Sequence, residues 1–189
     1  MSYNPTKAAQ VIALLLLRSK AKTMDIVKVV KLVYLCDREF LRRWGFPILD
    51  ENRVAMKHGP VNSTTYRLIN GEAGPDPEGW KSLLSDRAQH KIGLARDVGQ
   101  DELDLLSSGE IEAIDAVWKR FGGMGTWELV RWTHQKENIP EWEDPGDTSK
   151  PITLLSIFKA MKMENAEEMV EAIEDHRYID SMFDEIRVH

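Results

Sequence analysis

The side chains best placed for chemistry fall in two short stretches. Lys57-His58-Gly59-Pro60-Val61 sets an ammonium and an imidazole just before a rigid Gly-Pro turn, ahead of a short helix whose first amides could meet an anion or a carbonyl. Thr133-His134 closes a later helix, and Trp142 follows in a loop rich in proline and acids, where an indole is either folded back onto the core or left out for a partner. Residue type alone favours a structural role over a binding one at both stretches. Elsewhere the chain has no Gly-rich phosphate loop, no helical His pair around a Glu and no Cys pair for zinc. His58, His90 and His134 are scattered, so a metal site would have to be assembled from them in three dimensions. Cys36, the only cysteine, sits inside an apolar helix, which makes it a reduced core thiol rather than a nucleophile. The expectation is a binding protein and not an enzyme, with neither cofactor nor metal.

These stretches need a scaffold, and its clearest part is residues 23–44. Apolar side chains from Ile26 to Leu41 recur at helical spacing and leave one narrow polar stripe of Lys28, Lys31, Arg38 and Arg42. The pattern predicts a central helix buried on nearly all sides, capped by Thr23 with Asp25 in its first turn, and stopped by a left-handed Gly45 before Pro47. An earlier helix opens at Asn4-Pro5 and runs to about Ser19 along it. Arg53 to Met56 reads as a short strand broken by His58-Gly59-Pro60, followed by a helix over Ser63–Ile69 capped by Asn62 and closed by Asn70-Gly71.

Further on, Asp76-Pro77 reads as the cap of a helix reaching Ser85. Residues 90–96 alternate as a strand, to be paired with the segment around Val54 or with a hairpin return near Leu103 and Leu105. Ser107 and Glu110 have capping-box spacing, opening a helix through Phe121; a shorter helix carries Trp127 to Trp132, and helix returns over residues 154–163. Asn165 and Glu168 start a last helix with Met169, Ile173, Ile179 and Phe183 on its apolar face. The expected fold is mainly α: a compact helical domain around one buried central helix, with a small two- or three-stranded β-sheet at the edge. Residues 1–163 would form the domain and 164–189 an acidic amphipathic appendage.

A chain of 189 residues with 42% hydrophobic content can bury one good core. The longest apolar run, residues 11–17, is far too short to span a membrane and is followed by Arg18-Ser19-Lys20-Ala21-Lys22 instead of a small-residue cleavage site, so a soluble cytoplasmic chain is expected. The net charge of -6 hides a gradient: residues 1–72 carry 12 Lys+Arg against 6 Asp+Glu, residues 73–163 carry 11 against 16, and residues 164–189 carry 2 against 9. The two ends should attract each other or an oppositely charged partner. The apolar face of the last helix needs a cover, expected from the chain's own body or from a second copy in a homodimer, with its acidic face left to oppose a basic partner.

Three blocks of sequence carry a resemblance. KLVYLCDREFLRRWGFPI, then AMKHGPV with Tyr66 five residues beyond, then LVRWTHQKENIPEW, resemble the Panacea domain family, also called SocA-like antitoxin domains. The matching positions are Lys31, Leu32, Tyr34 and Leu35, then Gly59, Pro60, Val61 and Tyr66, then Thr133, His134 and Trp142. The chain departs from the pattern in having Pro140-Glu141-Trp142 where Pro and Trp are usually adjacent, and residues beyond 164 lie outside it. The resemblance implies a mainly helical domain of antitoxins and phage-associated proteins that neutralises a protein toxin by direct binding, with no catalytic residue. Lys57, His58, Gly59, Pro60, Tyr66, Thr133, His134 and Trp142 are the candidate partner-binding residues. A related version is an adaptor that delivers the toxin to a protease. The alternative of another class is a DNA-binding repressor of its own operon, which the basic N-terminal part suggests and the pI of about 5.4 opposes.

Overall fold

The computed structural model describes residues 3–72, 78–85 and 88–187. Helix α1 (Pro5–Arg18) starts where its sequence dictates, with the Asn4 side chain accepting from the Lys7 amide at 3.0 Å and Pro5 in the first turn. Every residue from 8 to 16 is buried. Helix α2 (Ile26–Trp44) ends as predicted, on Gly45 at φ 77 with its amide bonded to the Leu41 carbonyl. Its start differs. Thr23–Asp25 forms strand β1, antiparallel to β4 (Lys91–Gly93), in the register Met24 to Ile92. The Ile26 amide donates to the His90 carbonyl at 2.9 Å, and the Asp25 carboxylate is engaged by the Thr126 hydroxyl at 2.7 Å. Strand pairing therefore satisfies backbone that a first helical turn would leave unbonded, and Thr23 is not the cap. The alternating segment near residue 92 does pair, but with β1 rather than with Val54 or with Leu103 and Leu105, which follow a 3₁₀ turn at Gln100–Glu102.

The role expected of one central helix is divided between two. On α2 residues 29–37 are buried, but Arg42, Arg43 and Trp44 face outward, while α1 carries an equally long buried run. Two lysines of the α2 polar stripe also turn inward. Lys31 is 1% exposed, and Lys28 donates to the Gly122 and Met124 carbonyls, each at 2.7 Å, at the C-terminal end of helix α5 (Ser108–Phe121). A lysine there meets the carbonyls that a helix terminus leaves open. The α5 start is the predicted capping box, with the Ser107 amide donating to Glu110 at 2.8 Å and the Glu110 amide to the Ser107 hydroxyl.

A second, three-stranded antiparallel sheet has the order β3 (Gly59–Asn62), β2 (Arg53–Met56), β5 (Lys150–Ile152). Strand β2 ends at Met56 as expected, but Gly59-Pro60 opens a second strand: the chain reverses through Lys57-His58 and pairs back, Ala55 against Pro60. Proline is tolerated because β3 is an edge strand. Helix α3 (Ser63–Ile69) follows, capped not by the Asn62 side chain but by Glu51, whose carboxylate accepts from the Thr65 amide at 2.8 Å. Gly71, at φ 73, closes it as expected. Helix α4 (Glu78–Leu83) ends before the expected Ser85, and its expected cap, Asp76-Pro77, lies outside the described residues. Helices α6 (Thr126–Thr133), α7 (Leu154–Ala160) and α8 (Ala166–Arg187) complete the fold. Among the described residues no helix is long and apolar enough to cross a membrane.

Candidate partner-binding site

The two stretches singled out in the sequence meet. At the tip of the β2–β3 hairpin Lys57 and His58 are exposed, whereas Gly59 and Pro60 are buried. The end of α6 and the loop after it grip this turn. Trp142, only 7% exposed, donates its indole N–H to the Met56 carbonyl at 3.2 Å. His134 stands between two carbonyl oxygens, Nδ1 2.5 Å from Val130 and Nε2 3.0 Å from Lys57, and its ring stacks edge-on against Trp142 at 4.3 Å. Thr133 is fully buried, its hydroxyl donating to the Val130 carbonyl at 3.0 Å. Thr133, His134 and Trp142 thus clamp the hairpin; of the eight candidates Lys57 and His58 are exposed, Tyr66 and His134 are half-buried, and Gly59, Pro60, Thr133 and Trp142 are buried.

Glycine at 59 is required twice over. Its φ is 96, and a Cβ there would lie 2.9 Å from the Thr133 hydroxyl and 3.2 Å from Lys31 Cε. Lys31 donates to the Pro60 carbonyl at 2.9 Å, the outward carbonyl of an edge strand that would otherwise be open to another chain. Burial pushes its ammonium down from the ordinary 10.5 to about 7.

Further along the same helix, Tyr34 donates to Glu141 at 2.7 Å and Arg38 makes a two-pronged pair with that carboxylate, 2.6 Å on one oxygen and 3.2 Å on the other. Asp37 accepts from the Ile48 and Leu49 amides, at 2.8 and 3.1 Å, and pairs with Arg53 in the interior. Desolvation pushes the Tyr34 phenol and the Cys36 thiol well above their ordinary ranges, so neither is a nucleophile near neutral pH. Tyr34, Asp37, Arg38, Arg53 and Glu141 were not recognised as a set from sequence. The side-chain pairs among them span 16 to 107 positions; only the helical spacing of 34, 37 and 38 is available as a signal.

Beside the hairpin a cavity of about 240 Å³ opens between α2 and α3, lined by Val30, Lys31, Met56, His58, Val61 and Tyr66 among others. His90 also lines it, brought there by the turn that precedes β4. His134 lies on the other side of the hairpin, and among the described residues no group of His, Cys, Asp and Glu is placed to hold a metal. On the outer surface His58 packs edge-on against Trp127, centroids 5.8 Å apart, and that indole is 59% exposed. In the sequence Trp127 reads as an ordinary member of α6.

A family model described as antitoxin SocA-like, Panacea domain, matches residues 29–143. No curated protein and no solved structure matches the chain. The matched interval begins in α2 and ends just past Trp142, so it contains both halves of the hairpin clamp and the residues that Lys31, Tyr34, Asp37 and Arg38 hold. The chain belongs to the SocA-like antitoxin, or Panacea domain, family.

Proposed function

We propose that this protein is an antitoxin that neutralises a protein toxin by binding it directly, with the β2–β3 tip, the adjoining cavity and Trp127 as the contact face. The observation that carries the reading is the exposed indole of Trp127 beside His58, on a hairpin already fixed by His134 and Trp142. A large, rigid aromatic beside an imidazole is the kind of anchor that dominates protein interfaces, and a pre-organised turn spares the ordering cost of association. The reading is tested by co-expression with the product of the adjoining gene. Growth rescue with a co-purifying complex is expected, and Trp127→Ala should weaken capture at least tenfold without changing the melting temperature. Unchanged capture would place the contact face elsewhere. Whether the captured toxin persists or is degraded separates a plain antitoxin from a protease adaptor.

The repressor alternative loses its main support. The basic N-terminal half spends its cations internally, with Lys7 on Glu110, Arg18 on Asp115, Lys22 on Asp97, Arg38 on Glu141 and Arg53 on Asp37. Phosphate contacts need free cations, so a mobility shift on the upstream DNA should be weak at low salt and absent at high salt.

A further inference from the structure

We infer that the cavity beside the hairpin receives an acidic side chain of the partner polypeptide, its carboxylate meeting Lys31 and its apolar neighbour the walls formed by Val30 and Val61. The source of that side chain rests on the antitoxin reading; the chemistry of the cavity does not.

The starting point is an ammonium in an unusual position. An ammonium has three donors, and Lys31, 1% exposed, has the Pro60 carbonyl as its hydrogen-bond acceptor and no carboxylate among the described residues. Arg53, buried like Lys31, is matched by Asp37 and two carbonyls, and the half-buried Arg38 by both oxygens of Glu141. Burying a charge is costly without such a partner, and a methionine would fill the same volume at less cost. Glycine at 59 leaves the space that the end of this lysine occupies, its missing Cβ falling 3.3 Å from Nζ.

The cavity that Lys31 lines has apolar walls and a rim of His58, Lys57 and Tyr66. None of its described lining residues is acidic, although the chain has 31 Asp+Glu against 25 Lys+Arg. A cation without a carboxylate, in a cavity with apolar walls and no acidic lining residue among those described, selects a carboxylate carried on an apolar body. A cationic or neutral anchor would leave the ammonium as it is.

The experiment has two arms. In the first, methyl-labelled protein is titrated with hexanoate, hexanamide and hexylammonium. The methyls of Val30 and Val61 should respond to hexanoate at least tenfold more tightly than to the other two, a result that needs no variant. Lys31→Met should abolish the preference. An equal response to hexanoate and hexanamide, or none, overturns the proposal. In the second, the adjoining-gene toxin is captured on the parent and on Lys31→Met, each checked for an intact melting transition. Capture weakened at least tenfold, together with toxin variants in which a single Asp or Glu is made amide and the same loss appears, supports the proposal. Undiminished capture by Lys31→Met overturns it while leaving the antitoxin reading intact. A parent that captures no toxin overturns that reading instead, and with it the proposed source of the carboxylate.

Discussion

At the scale of single residues, Lys31 ties stability to pH in a direction opposite to that of a lysine paired with a carboxylate. Its folded value of about 7 lies below the ordinary 10.5, so between those pH values the unfolded chain holds a proton that the folded chain has released. Stability therefore rises with pH across that window, and below it both states are protonated and the cost of the buried charge is constant. Denaturant midpoints of the parent should climb from pH 7 to 9.5 relative to those of Lys31→Met, which should be at least as stable as the parent at pH 6. Parallel curves would show that this ammonium is better solvated than its burial implies. Gly59 makes a second, simpler case. Gly59→Ala combines a φ of 96 with a clash on Thr133 and Lys31, and should cost on the order of 1–3 kcal/mol in chemical denaturation. A variant as stable as the parent would mean that the hairpin can shift.

Between elements, cohesion rests on buried acids, each joining parts distant in sequence. Asp37 ties α2 to the loop before β2 and to Arg53 itself; Asp37→Ala should cost roughly 3–5 kcal/mol, because the Arg53 charge stays buried without its partner. A loss under about 1 kcal/mol, measured by urea midpoint, would show that the carbonyls of Leu49 and Glu51 suffice for Arg53. The same long reach explains what the sequence could and could not reveal. Helix cores, the Gly45 stop and the Ser107–Glu110 box are local, decided within one turn by residues next to each other, and were legible. Thr23–Asp25 was lost from its helix because a strand 68 positions later in the register, Lys91–Gly93, outcompeted the local cap. Lys31 was misread for a related reason: at helical spacing a lysine marks the wet face, unless a carbonyl from another element waits inside. The candidate site was half legible, since the residue types at 57–60, 133–134 and 142 could be picked out, but their division into clamp and open surface depends on the fold.

For the whole molecule, helix α8 behaves as two parts. Its first half belongs to the core, with Ala166 and Ile173 at 2% exposure, the Phe46 ring against His176, and Arg177 bound to Asp50. The ion pair between tail and head has the reverse polarity of the expected attraction, joining an arginine of the tail to an aspartate of the head. From Tyr178 the apolar side chains Tyr178, Ile179, Met182 and Phe183 are exposed. Removing residues 178–189 should leave the melting temperature unchanged, whereas removing 165–189 should lower it by roughly 5 °C or more, since a buried isoleucine and its neighbours would lose their cover. Equal melting of the two truncations would show that α8 is passive throughout.

The internal spending of charge also has a consequence during synthesis. Arg18 waits for Asp115 and Arg38 for Glu141, about a hundred residues of translation, or on the order of 5–20 s at typical elongation rates. Throughout that interval the emerging chain is a basic, apolar segment without its acids, and α1 and α2 have no lid of α5 and α6 to close against. The nascent protein should be a chaperone client and a non-specific binder of ribosomal RNA until the second half arrives, after which the same cations vanish from the surface. A ribosome-arrested chain ending near residue 72 should therefore remain protease-sensitive, and one long enough to release Glu141 from the exit tunnel should not.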